Sequence, residues 1–223
     1  PAVLDKDTAK TALTTFLEGW KKGETPADLK AKSPPIIAKD ADFVAAMEHI
    51  LDVYEQPYDP RHPKVCFDES SKQLIEQRQL PVQPGQVRRV DYEYQRNGTR
   101  NLFLFFEPLA DWRHIEVTQQ RTAQDFAHQM RWLVDVRYPD AEWIDLIMDN
   151  LNIHKFASLY DTSAPAEANR IARRIVFHYT PKHGSWLNMA EIGFSVLLRK
   201  LGTHGPDEVT LKQKVAAIET SRN

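Results

Sequence analysis

The sequence predicts an α/β fold: one mixed sheet with helices on its faces. Three observations predict it. Short apolar runs fill residues 64–120. From residue 122 onward, helical periodicity alternates with strand-like runs. One of those runs, Trp143 to Asn150, is apolar on both faces, as a central strand covered on each side must be. With 223 residues, 42% of them apolar and 10% aromatic, the chain can bury a sizeable core, which excludes disorder as its main character.

The first 39 residues stand apart from residues 40–223. Ala9, Ala12, Leu13, Phe16, Leu17 and Trp20 recur at helical spacing over Thr8 to Lys22, with Asp7 to cap and Gly23 to stop the helix. Glu24 to Pro35 reads as a linker, because Pro34 and Pro35 bar a helix. A second amphipathic helix is expected from Ala41 to Tyr54, with Phe43, Val44, Met47, Ile50, Leu51 and Tyr54 on one side. Strands are expected at Lys64–Ser70, Val90–Gln95, Asn101–Leu109 and Arg113–Gln120, with Asn97-Gly98 as a hairpin-type turn. Thr122 to Asp140 reads as a capped helix, Pro165 to Arg174 as a short one, Ile175 to Thr180 as a strand and Trp186 to Leu201 as a long helix. Strands, helix, strand, helix, strand, helix is the order of a mixed sheet.

Composition removes several function classes. Basic residues number 29 and acidic residues 31, a formal charge of -2, so any contact with nucleic acid must come from a local patch. The single Cys66 excludes a disulfide framework and a cysteine zinc site, and fits a reducing compartment. No apolar run approaches the roughly 18 residues of a membrane span, and no signal peptide is seen, so a soluble chain with no membrane partner is expected. Dinucleotide, P-loop, zincin and nucleophile-elbow motifs are absent.

Three acids are hard to explain as surface residues. Asp149 follows the strand IDLIM, at the carboxyl end where open α/β sheets place their ligand crevice. Asp68 follows Val65-Cys66-Phe67 in the same way, although a strand-end Asp also serves as an ordinary turn or cap. Glu191 falls at the edge of an apolar stripe of Leu187, Ala190, Phe194, Leu197, Leu198 and Leu201, where it either points to solvent or needs a partner. Together the three offer oxygen ligands alone, which suits Mg²⁺ or Mn²⁺. Two such ions would serve in-line displacement at phosphorus.

Candidate helpers surround them. Asn150, Asn152 and His154 follow Asp149, and Lys72 lies four residues beyond Asp68, where it can face the same crevice. Lys182, His183, Trp186 and Asn188 precede Glu191 in a loop that either supports the acids from behind or takes a phosphate or DNA, or that is simply a capped loop with Trp186 as a staple. Arg170, Arg173 and Arg174 form a small basic cluster, either a phosphate contact or a solvated helix face.

The strings CFDESSK (Cys66 to Lys72), DYEYQRNGTRNLF (Asp91 to Phe103), DNLNIHKFASLY (Asp149 to Tyr160) and FHYTPKHGSWLNMAEI (Phe177 to Ile192) resemble the catalytic domain of bacterial insertion-sequence transposases of the branch related to mariner elements. The resemblance runs from about Asp42 to Ala217. It implies a ribonuclease H-like fold, three antiparallel strands then two parallel, with Asp68, Asp149 and Glu191 as the Asp-Asp-Glu site for two Mg²⁺ or Mn²⁺ ions. It also implies DNA as partner (transposon ends and target), action as a homodimer, and a location at the bacterial nucleoid in the cytoplasm. Family members nick DNA at the transposon end with water, then join the freed 3′ hydroxyl to target DNA. They usually carry a helix-turn-helix region for recognition and a further C-terminal segment; neither is expected within this sequence, and residues 1–39 resemble no recognised part of the family. Two other readings remain open here: a silent or co-opted remnant that binds DNA or protein, and a ribonuclease H-like nuclease acting on hybrids.

Overall fold

A computed structural model describes residues 41–79, 90–149, 156–202 and 205–222. The helix and linker expected within residues 1–39 lie outside them. Helix α1 (Ala41–Glu55) comes first, followed by strands β1 (Lys64–Gln79), β2 (Val90–Glu107) and β3 (Trp112–Thr118). Helix α2 (Ala123–Trp132) leads to β4 (Ile144–Met148), then to α3 (Phe156–Thr162), α4 (Pro165–Ala172) and β5 (Ile175–Tyr179). Helices α5 (Ala190–Leu201) and α6 (Glu208–Thr220) end the described chain. The strands order as β3-β2-β1-β4-β5. β1, β2 and β3 pair antiparallel, and β4 and β5 extend the sheet parallel to β1. The ribonuclease H-like mixed sheet expected from the sequence is present. No helix among the described residues is long and apolar enough to cross a membrane.

Alternating side chains divide the core in two. Cys66, Leu102, Leu104, Ile115 and Ile147 face one way and pack with residues of α1, α5 and α6. Val65, Phe67, Phe103, Phe105, Leu146 and Met148 face the other way, against α2, α3 and α4. β4 is buried along its whole length, in keeping with its two-sided apolar pattern.

The local predictions hold where burial or capping enforces them. Thr122 caps α2: its Oγ1 accepts from the Asp125 amide at 3.2 Å, while Asp125 Oδ2 accepts from the Thr122 amide at 2.8 Å. The helix expected to reach Asp140 instead widens into a π turn over Leu133–Arg137, and the Tyr138 amide donates to the Leu133 carbonyl at 3.0 Å. Pro139 cannot continue it.

Three expectations are corrected. Asn97-Gly98 is no hairpin turn: residues 90–107 form one strand, and the pair sits in a bulge where Gln73 faces Thr99 but Ile75 faces Arg96. Gly98 takes φ of 94°, a region that suits glycine and provides the extra residue such a bulge needs. β1 runs on from Ser70 to Gln79 as a two-stranded arm with β2, beyond the reach of β4, which pairs with β1 over Lys64–Cys66. Among the described side chains of this arm only Leu74 is buried, too little to impose alternation, so the sequence there reads as polar. The arm is braced from the far end of the chain: Ile75 exchanges backbone bonds with Gly205, and Arg100 pairs with Glu208 at 2.6 Å. Finally, α6 was not anticipated; Asp207 caps it by accepting from the Thr210 amide at 2.7 Å.

Candidate active site

Strand register brings two of the three acids together. The parallel pairs Lys64↔Asp145, Val65↔Leu146 and Cys66↔Ile147 run in step, and carrying that step two residues further sets Asp68 beside Asp149. Cys66 and Ile147 both face the α5 side, so by alternation Asp68 and Asp149 do too. Glu191 occupies the first turn of α5, packed on that same face. All three are half-buried.

The carboxylates feel one another. Asp68 is pushed up to about 7, first by burial and then by the negative charges of Glu69, Asp149 and Glu191, while the hydrogen bond its Oδ1 accepts from the Glu69 amide at 2.8 Å opposes the rise. Among the described residues no three His, Cys, Asp or Glu side chains are gathered closely enough to form a ready metal cage. The donor set nonetheless fits a hard divalent cation. It is anionic, made of oxygen only, drawn to one sheet face, and carries mutual repulsion that a cation would relieve.

A pH prediction follows from the raised acid. Folding the metal-free chain favours the protonated form of Asp68, so the contribution of this residue to stability is greatest below about pH 4. It is lost as pH rises from the ordinary carboxylate range through about 7. Asp68→Asn should therefore stabilise the chelator-treated protein at pH 8 by on the order of 1–3 kcal/mol, with the gain shrinking toward pH 4. Urea denaturation of both proteins at the two pH values measures it; an equal difference at both would show that Asp68 carries no such charge cost.

The helpers sort differently from the acids. Lys72 is a correction: it does not turn to the acids but donates to the Gly202 carbonyl at the C-terminal end of α5, remote from Glu191. Its pKa is lowered by burial and by neighbouring Lys214. Lys182 and His183 are exposed in the loop between β5 and α5, and His183 holds a left-handed φ of 67°. Trp186 is half-buried against the core, in a short 3₁₀ turn (Ser185–Leu187) that replaces the start of the long helix expected from residue 186. Asn150, Asn152 and His154 lie outside the described residues. The basic cluster sits on other business: Arg170 pairs with Asp135 at 2.8 Å and Glu167 at 2.7 Å, and Arg174 donates to the Tyr138 and Pro139 carbonyls.

Asn188 is 1% exposed, so it is no phosphate contact. Its Nδ2 donates to the Phe67 carbonyl at 2.7 Å and its Oδ1 accepts from the Ala190 amide at 3.1 Å. Tyr54 of α1, noted from the sequence only as an apolar-face residue, donates its hydroxyl to the Leu187 carbonyl at 2.9 Å and lies 3.2 Å from Cys66 Sγ. Burial pushes the Cys66 thiol up to about 12, so it is no nucleophile.

Comparison with known proteins gives the family and supports the fold. The family described as DDE superfamily endonuclease matches residues 63–207, well over half of the chain. No curated protein sequence matches. Among solved structures, the Mos1 transposase paired-end complex with left transposon end is 13% identical at a TM-score of 0.56, covering 100% of this chain and 73% of that one. A pre-cleavage Mos1 transpososome is 12% identical at a TM-score of 0.50, with the same coverage of 100% and 73%. The Mos1 mariner paired end complex with Mn is 11% identical, also at 0.50 and with coverage of 100% and 73%. At such identities these likenesses speak for the fold, and the family match speaks for descent. The chain belongs to the DDE superfamily of endonucleases.

Proposed function

We propose that this chain is the catalytic domain of a DNA transposase, cutting DNA at transposon ends and joining the freed 3′ hydroxyl to target DNA. One observation carries the reading: Asp68 within β1, Asp149 just past the end of β4 and Glu191 in the first turn of α5 lie toward one face of the sheet, with the charges of Asp149 and Glu191 felt at Asp68, in a member of an endonuclease family. A neighbour of similar fold was crystallised as a paired-end complex with Mn, which supports a divalent cation here too. Asp68, Asp149 and Glu191 would hold two Mg²⁺ or Mn²⁺ ions, which supply Lewis-acid activation of the attacking oxygen and stabilisation of the leaving one.

The rest of the chemistry belongs to the chain. The Glu69 amide holds one oxygen of Asp68 at 2.8 Å and so fixes how that carboxylate is presented. Lys182 and His183, exposed on the loop that leads to Glu191, can take DNA phosphates. Such contacts position a duplex without reading it. Recognition of the terminal repeats then falls to a separate helix-turn-helix region, and two copies of the chain pair the two ends.

The test is a cleavage assay on labelled duplex carrying the inverted repeats that flank the coding sequence. Nicking at the repeat boundary with Mg²⁺ or Mn²⁺, abolished by chelator, and then joined product, is expected. A folded chain that binds this DNA but never cuts it with either metal would overturn the enzyme reading in favour of a binding module.

A further inference from the structure

The turn just before Glu191 is fastened to the strand that carries Asp68. The Tyr54 hydroxyl grips its Leu187 carbonyl at 2.9 Å and faces the Met189 amide at 3.4 Å. Cys66 Sγ, two residues before Asp68, lies against the Met189 and Ala190 amides. These contacts hold the turn as a whole. Asn188 does something narrower, because its carboxamide touches the backbone next to each acid. Its Nδ2 reaches Phe67, the residue before Asp68, and its Oδ1 reaches Ala190, the residue before Glu191. Its own carbonyl also accepts from the Glu191 amide at 3.1 Å. Donor and acceptor ends are both committed, so a flipped amide would set like against like at both contacts.

Asn188 bonds β1 just past Cys66, the last residue of β1 that pairs directly with β4. Across this joint two half-buried carboxylates repel each other. A joint that yields would let them separate; a buried amide with two short bonds does not yield easily.

Resting on the metal-site reading above, we propose that Asn188 is a positioning residue: its carboxamide sets the spacing between Asp68 and Glu191 by bridging the Phe67 carbonyl and the Ala190 amide. It touches neither DNA nor metal and acts through the two acids.

The test compares Mn²⁺ affinity and thermal stability in the full 223-residue chain. Asn188→Ser keeps an acceptor for the Ala190 amide but is too short to reach Phe67. Tyr138→Phe is the control, removing the buried 2.6 Å bond to Glu107 in the opposite core layer. Titration of Mn²⁺ by electron paramagnetic resonance should show Asn188→Ser binding roughly 10–100-fold more weakly than wild type. Tyr138→Phe, with a comparable fall in melting temperature, should bind like wild type. Should Asn188→Ser fail to fold, Asn188→Gln retains both polar ends on an arm one methylene longer, and should still weaken Mn²⁺ about tenfold. Wild-type affinity in either folded Asn188 variant would overturn the proposal. So would an equal loss in Tyr138→Phe, which would reduce the effect to general destabilisation. If the wild-type chain itself, folded, takes up no Mn²⁺, the metal-site reading has failed, and the proposal with it.

Discussion

Asp149→Ala is expected to lower Mg²⁺-dependent cleavage of transposon-end DNA by roughly 10³-fold or more, with the chain still folded. A catalytic divalent ion contributes several kcal/mol of transition-state stabilisation, and each 1.4 kcal/mol or so is a factor of ten in rate. Asp149 stands at the open end of β4, beside Asp68 in register, where its removal leaves the buried body of the strand intact. Asp149→Asn should fall nearly as far: it keeps volume and one oxygen but loses the charge that a cation needs. Lys72→Ala makes the contrast. Its side chain caps α5 at Gly202, away from the acids, so cleavage should stay within a few fold of wild type while stability drops slightly. Single-turnover cleavage of labelled duplex measures all three. Comparable, mild losses from Asp149→Ala and Lys72→Ala would mean that the acids do not form the reacting site.

What the sequence disclosed, and what it hid, divides along physical lines. Asp149 was legible because it follows the last residue of the fully buried β4, and Asp68 because it closes a short apolar run, although β1 carries on through it to Gln79. Glu191 was legible as an anion against an apolar stripe. Thr122 was legible because a capping box is a local device, made within four residues. The arm of β1 beyond Ser70 was not, since among its described side chains Leu74 alone is buried and one such residue sets no alternation. Gly98 looked like a turn because the same positive φ serves a turn and a bulge, and only pairing with β1 tells them apart. Lys72 was misplaced for a related reason: spacing from Asp68 says nothing of where α5 ends. Tyr54 and Asn188 show the limit most plainly. Their partners lie 133 and 121 residues away, and no periodicity within α1 or before α5 encodes a bond across the sheet.

The largest effect on stability should come from Phe67→Ala, a loss of roughly 3–5 kcal/mol. The ring is fully buried, and its centroid lies 4.9 Å from Phe105, 5.8 Å from Phe103 and 5.7 Å from Phe126. It thus joins β1 to β2 within the sheet and the sheet to α2. Truncation removes the transfer energy of the ring and leaves a cavity walled by three other rings, which cannot collapse without moving two strands. A domain of this kind has a total stability of about 5–15 kcal/mol, so the variant would stand close to unfolding at growth temperature. Val176→Ala, at an exposed position on the edge strand β5, should by contrast change stability by no more than about 0.5 kcal/mol. Urea denaturation of the three proteins, read as the shift in midpoint at constant slope, gives both numbers. Because the Phe67 carbonyl also receives the Asn188 amide, Phe67→Ala should weaken Mn²⁺ binding as well, even at temperatures where it remains folded. A midpoint shift worth less than about 1 kcal/mol would mean that the four rings do not form one dry core, and that Asp68 is not anchored from behind by Phe67.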